Sequence, residues 1–452
     1  GHEVAATAMV QEYDFTDVTM PSAPSFMPIP QPVTNATDVT TENYTIGYTF
    51  ARPDTPLIDF SAKAYYTTTK TDQDQSPVVS FSTRNFDIET TGFDIFNTSR
   101  FSTGAVAHRL TYGVDGFRDA VSVTDALGTC DLFTPSGERT AFGSFVEDEL
   151  QLTPWLKAIG ALRYDSYELD SDTVSKDGDR VSPKGTVAVT PVRGIELFAT
   201  YAEGYRSPAL TETVISGVHP PPAPFQFLHN ADLEPEVGKT KEAGVNIKYD
   251  NVFTGGDKLR GKVAIFRNDV EDFIDLRLIA CPPGVPAPFC AAQYQNVTEA
   301  RIEGIEVEFG YDWGGGFLNI AGTLNDSEDR STGKSLVTVP PDRLSTTLGF
   351  RFLDGRLIAG TRLHFVDASE RDVDQLSQGF GSIFLPTDGY TLVDLFGSYQ
   401  FNDWSALDVA INNVTDEHYR KFLDTDDSAG LQARAALTIK FGDKTGPLSS
   451  NW

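Results

Sequence analysis

The sequence predicts an all-β fold, a transmembrane antiparallel β-barrel, on three observations. Many segments alternate apolar and polar residues with period two. Ala433, Ala435, Leu437, Ile439 and Phe441 share one face, while Arg434, Ala436, Thr438 and Lys440 share the other. Val393, Leu395, Tyr399 and Phe401 oppose Asp394, Ser398 and Gln400 in the same way. Segments of roughly ten residues split by turns suit a wall with hydrocarbon outside and water inside; the strands of a soluble sandwich alternate too, but run shorter. Second, short and long connections alternate almost strictly, as when tight turns occupy one rim and large loops the other. Third, no apolar run approaches the roughly 18 residues of a membrane helix, so a membrane role must use strands.

Composition agrees. Strand formers dominate the 452 residues, with 31 Phe and 16 Tyr beside 38 Gly. A net charge of −28 disfavours nucleic acid, whose phosphates need basic stripes, and is accounted for by acidic, solvated loops. No GxSxG, Walker loop, HExxH or CxxC pattern occurs, so catalysis is not indicated. The chain opens Gly-His-Glu with neither an initiator Met nor a signal-like segment. Cys281 and Cys290 bracket CPPGVPAPFC, a stiff loop that a disulfide would close in an oxidising compartment, while Cys130 is left over.

In chain order, tight turns are expected at Thr153-Pro154, Arg193-Gly194, Gly314–Gly316, Leu353–Gly355 and Asn402-Asp403. Long loops are expected near residues 70–84, 123–138, 170–180, 208–239, 279–293, 329–340, 370–389 and 415–429. The count comes to about seventeen strands, whereas bacterial barrels of this kind have an even number. The expectation is therefore an incomplete barrel over residues 44–441. Residues 1–43 are expected to be the tail of an external loop, and 442–452 a short extension.

Four stretches in order, LFATYAEGYRSP, NADLEPEVGKTKEAGV, ARIEGIEVEF and INNVTDEHY, resemble the barrel of TonB-dependent outer-membrane receptors, from about residue 140 to Phe441. The haem and haemoglobin receptors of that family carry a FRAP box and an NPDL box flanking a histidine in an external loop. Tyr205-Arg206-Ser207-Pro208 stands in for the first, and Asn230-Ala231-Asp232-Leu233 for the second. Tyr205, Ser207 and Ala231 depart from the boxes, and related boxes also occur in siderophore receptors. The resemblance implies a 22-strand barrel whose plug domain is absent from this sequence, a bacterial outer-membrane location, and a TonB–ExbB–ExbD energising complex engaged through the absent N-terminal region.

The stretch from Tyr205 to Glu236, which holds both boxes with GVHPPPAPFQF between them, is longer than the roughly 12–15 residues of an ordinary connection. Haem recognition needs a neutral imidazole for the iron and flat apolar groups for the porphyrin. His219, on a polyproline stalk, and His229, against the Asn230 box, are the two candidate iron ligands, with Phe225 and Phe227 covering the ring. Either histidine has a plainer reading as a solvated loop side chain, and Arg206, Asn230 and Asp232 read as ties between the loop bases. His108, His364 and His418 read as wall or surface residues. The acidic groups Glu370, Asp372, Asp374 and Asp424, Asp426, Asp427 lack an EF-hand pattern and read as solvated.

The expected function is TonB-dependent uptake of haem, free or taken from a haem protein, with haem as cargo and no catalytic cofactor. A ferric-siderophore receptor is the alternative within the family. A passive porin or a barrel-anchored adhesin is the alternative outside it.

Overall fold

The computed structural model describes residues 1–19, 33–78, 82–126, 135–218, 226–280, 291–336, 338–369, 387–424 and 427–440. The first half of the wall runs β1 (His2–Thr19), β2 (Val33–Ala51), β3 (Asp59–Ser76), β4 (Thr83–Thr103), β5 (Val106–Asp125), β6 (Gly137–Thr153), β7 (Leu156–Asp170), β8 (Ser175–Val192) and β9 (Ile195–Arg206). A short helix, α1 (Leu210–Val214), and two-residue strands β10 (Gly217–Val218) and β11 (Gln226–Phe227) follow. The second half runs β12 (Glu236–Asp250), β13 (Lys258–Ala280), β14 (Ala291–Asp312), β15 (Gly316–Asp329), β16 (Arg343–Phe352), β17 (Leu357–Val366), β18 (Tyr390–Asn402), β19 (Ser405–Asn412) and β20 (Gln432–Ile439).

Each long strand pairs antiparallel with the next, and β9 pairs with β12 across the insertion. The described residues thus form an eighteen-strand meander, seventeen of them from β2 onward. The eighteenth corrects one expectation. The described part of residues 1–43 is not a loop tail, because β1 is hydrogen-bonded to β2 from His2↔Phe50 to Thr19↔Val33. Phe441 and residues 442–452 lie outside the described residues.

The two faces are sorted as a membrane wall demands. Ala199, Ala243, Ile265, Ile305 and Leu324 lie side by side across β9 and β12–β15. This row points outward: Ile265 is 58 % exposed and Leu324 52 %. One residue along, Phe198, Gly244, Ala264, Glu306 and Thr323 form a mixed inner row. Many charges on the inner face are held in pairs. Arg163 grips Asp115 through two 2.8 Å hydrogen bonds, Lys184 reaches Glu147 at 2.9 Å, and Lys262 reaches Glu242 at 3.0 Å. Gly143 lies beneath the Arg163 guanidinium, where a Cβ would collide with it.

All five expected tight turns connect strands on one rim, with Gly194 at φ +91° in the β8–β9 turn. Aromatic rings gather there. Phe253 meets Tyr311 edge-on at 5.7 Å, Tyr311 lies 5.8 Å from Trp313, and Trp313 meets Phe350 at 6.0 Å. Such belts mark the level where hydrocarbon gives way to headgroups. Opposite, two expected loops are mostly strand: β3 continues to Ser76, and β8 resumes at Ser175, leaving only 171–174 as connection.

In the β12–β13 turn, outside the membrane-spanning strands, Asp257 is 1 % exposed. It accepts hydrogen bonds from the N–H groups of Val252, Phe253 and Thr254 at 2.6, 2.8 and 2.7 Å, and from the Tyr311 hydroxyl at 3.0 Å. Burial alone would raise the carboxyl, but these donors outweigh it and hold the group at about 2.

Two outcomes are expected. Arginine at the outward Val263 should destabilise the barrel by about 2–4 kcal/mol in urea unfolding from lipid vesicles, while Ala321→Arg on the inner face should cost far less. Because the Asp257 carboxyl titrates below its unfolded value, the stability it contributes is complete above roughly pH 4 and lost only as pH falls through about 2. A carboxyl-resolved NMR titration should place its midpoint near 2; a midpoint near 4 contradicts the turn geometry.

Candidate ligand-binding loop

The connection from β9 to β12 occupies residues 207–235, and its described parts, 207–218 and 226–235, are folded against the wall. Its ends are joined at Arg206. The guanidinium donates to both Glu236 oxygens at 2.6 Å, and a third nitrogen meets the Glu212 carboxylate of α1 at 3.0 Å. Bidentate, charge-assisted contacts of this kind fix orientation as well as distance. Glu236 also accepts the Ile274 N–H at 2.8 Å, which extends the tie to β13.

α1 is too short to persist alone, since helix nucleation is costly. Ala209 offers no capping side chain, so the Glu212 carboxylate accepts its N–H at 2.8 Å instead. Leu210 and Val214 pack with Tyr167, Leu169 and Val174 in a buried cluster, against which Tyr205 rests. Pro208 is fully buried beside them. These contacts give the first box a packing role.

The second box is anchored to β14. Asn230 donates from Nδ2 to the Tyr294 carbonyl at 2.8 Å and from its backbone to the Thr213 carbonyl at 3.0 Å. Its Oδ1 accepts the Asp232 N–H at 3.1 Å, so Asp232 joins through its backbone while its carboxylate is exposed. Leu233 is completely buried. Asn296 completes the anchor by exchanging two hydrogen bonds with the Glu234 backbone, at 2.8 and 2.9 Å. Asn296, Glu212 and Glu236 carry no sequence signal that singles them out, because each matters only through what the loop folds against.

Of the candidate ligand groups, His219 and Phe225 lie outside the described residues, as do Cys130, Cys281 and Cys290. The β13–β14 ladder runs out to Ala280↔Ala291, immediately inside the two cysteines. Phe227 is 5 % exposed and sits in β11, which pairs parallel to the outer end of β14. In this arrangement its ring is packed inside the loop rather than offered to a ligand. His229 is exposed, and its carbonyl accepts from Gln293 Nε2 at 2.8 Å. Its imidazole has no hydrogen-bond partner among the described residues, which leaves both ring nitrogens available.

The remaining histidines are engaged elsewhere. His108 meets Asp148 at 2.8 Å and stacks on Phe101 at 4.7 Å, and His418 approaches Asp427 at 3.4 Å. His364 faces Asp394 at 3.5 Å on the inner wall. Among the described residues no three His, Cys, Asp or Glu side chains converge to hold a metal ion. A second loop, 330–342, also folds inward, burying Leu336 and Val339 on Val270 and Ala300.

An antiparallel meander with a lipid-type exterior, a paired-charge interior and loops folded over one mouth defines an outer-membrane receptor barrel. Residues 10–414 match the family described as TonB dependent receptor-like, beta-barrel, and the chain belongs to that family. Heme/hemopexin utilization protein C of Haemophilus influenzae is 25 % identical over 424 residues, covering 87 % of this chain and 56 % of its own length. The hemin receptor of Yersinia enterocolitica is 26 % identical over 353 residues, covering 73 % of this chain and 49 % of its own. Among solved structures, a double mutant of the Serratia marcescens hemophore receptor HasR, in complex with its hemophore HasA and heme, superposes with a TM-score of 0.74. The identity is 23 %, with 97 % of this chain and 72 % of that one covered. The chain thus spans about half the length of the curated relatives it matches.

Arg206→Ala should leave Glu212 and Glu236 without their shared cation and release α1. The expected cost is about 1–3 kcal/mol of local opening free energy, read as faster amide exchange in residues 210–214 with β12 protection unchanged.

Proposed function

We propose that this chain forms the barrel of an outer-membrane receptor that imports haem, with an external-loop imidazole as axial iron ligand and TonB–ExbB–ExbD supplying the energy. The observation that carries the reading is His229. It is an exposed imidazole with no hydrogen-bond partner among the described residues, held at the rim by the neighbouring Asn230 anchor. A ligand to haem iron must be neutral, accessible and fixed in position, and His229 meets the last two requirements by geometry.

The names of the relatives support haem or haem proteins as the class of cargo. His219 and Phe225 enter the proposal by their place in the same loop. Phe227, being buried, would cover a porphyrin face only after the loop rearranges.

Absorbance titration with haemin tests this reading. The wild-type chain in detergent should give a sharpened, red-shifted Soret band. His229→Ala and His219→Ala should identify which imidazole binds, and the double variant should lose the shift. A band unchanged in the double variant removes the reason to choose haem over a ferric siderophore.

A further inference from the structure

A cleft of about 920 Å³ opens on the inner wall at β17–β20, beneath the connection between the last two strands. Its size falls in the range of small-molecule sites, about 300–1,000 Å³. Three cations line it: Arg362 from β17, Arg434 from β20 and Lys421 from the connection. Arg163, Lys184 and Lys262 on the same face of the wall are each neutralised by a carboxylate. By contrast, none of the three cleft cations has an ion-pair partner among the described residues. Arg362 donates from Nε to Thr347 Oγ1 at 3.2 Å, and Arg434 from Nη2 to Gln432 Oε1 at 3.1 Å.

The carboxylate that should neutralise Arg362 is its cross-strand partner Asp394. It is committed elsewhere: Oδ1 accepts the Asn413 N–H at 2.8 Å, and Oδ2 lies 3.5 Å from His364 Nε2. Asp408 and Asp424 also line the cleft without pairing with any of the three cations. One side is closed by Tyr419, whose ring centroid lies 4.6 Å from that of Tyr390. Guanidinium groups that lack a carboxylate partner in a walled recess are carboxylate receptors by geometry and charge.

We infer that this cleft receives the carboxylate side chains of a planar tetrapyrrole on its way from the external loops into the barrel. Arg362 and Arg434 bind the carboxylates, Lys421 adds charge from above, and Tyr419 offers a flat face. The assignment rests on the haem reading for its ligand class, but it involves neither the iron nor the loop histidines.

That independence shapes the test. Binding of iron-free protoporphyrin IX and of its dimethyl ester is measured by fluorescence on the chain in detergent micelles. The proteins compared are wild type, the Arg362→Gln/Arg434→Gln double variant and the His219→Ala/His229→Ala double variant. The free acid should bind wild type and the histidine variant equally. It should bind the arginine variant at least tenfold more weakly, with salt weakening wild-type binding in the same direction. The ester should not distinguish the three proteins. Unchanged affinity of the free acid for the arginine variant overturns the inference, as does an equal loss for acid and ester, which would mean the wall itself was disturbed. Loss of the haemin Soret shift in the histidine variant concerns only the axial ligand, so the two readings fail separately.

Discussion

A peptide group surrounded by hydrocarbon has no water to bond, and leaving one unpaired costs several kcal/mol. That single constraint accounts for most of this architecture. Every long strand pairs with its neighbours in sequence, so the ladder from β1 to β20 is built by hairpins alone apart from one long insertion between β9 and β12, and β1 and β20 do not pair with each other among the described residues. Once the backbone is satisfied in this way, side chains have only two directions left. Those pointing out must tolerate lipid, which yields the row from Ala199 to Leu324, and those pointing in meet water and one another. The inner ion pairs, such as Arg163 with Asp115, follow from crowding charged groups onto one concave surface.

Beyond the membrane the constraint relaxes, and the chain uses the freedom for its loops. Two of them fold inward and bury apolar side chains on the upper wall: Leu210 and Val214 on Tyr167 and Leu169, and Leu336 and Val339 on Val270 and Ala300. The loop bearing His229 is fastened by groups that belong to strands: Arg206 with Glu236 at its base, and on β14 the Tyr294 carbonyl, which holds Asn230, and Asn296, which holds Glu234. An external binding group on an unfastened loop would pay ordering entropy at each encounter. Here much of that ordering is built into the free state.

The sequence made the membrane-level wall legible because lipid and water impose opposite demands on adjacent residues. The hairpins at Thr153-Pro154, Arg193-Gly194 and Asn402-Asp403 stand where the alternation breaks. The same logic explains the errors. In TDQDQS at the end of β3 and SKDGDR at the start of β8 both faces are wet, so no alternation survives and the strands read as loops. β1 was hidden because its apolar residues are interspersed with Ala, Thr and acidic residues on both faces. At the site, the boxes around residues 205–208 and 230–233 marked the loop bases. The burial of Phe227 was not legible, because it depends on β11 lying beside β14, sixty-odd residues downstream.

The strands that outrun the bilayer have one more effect. β13 is 23 residues long, about 75 Å of chain at 3.3 Å per residue. Tilted as such strands are, it climbs well beyond an apolar band about 25 Å tall, by on the order of 30 Å. On the β13 side the mouth is therefore raised on a stiff collar, whereas β16 and β17, ten residues each, reach little beyond the band. A bulky macromolecule arriving from outside would touch protein before lipid, and could dock without dislodging the surrounding headgroups.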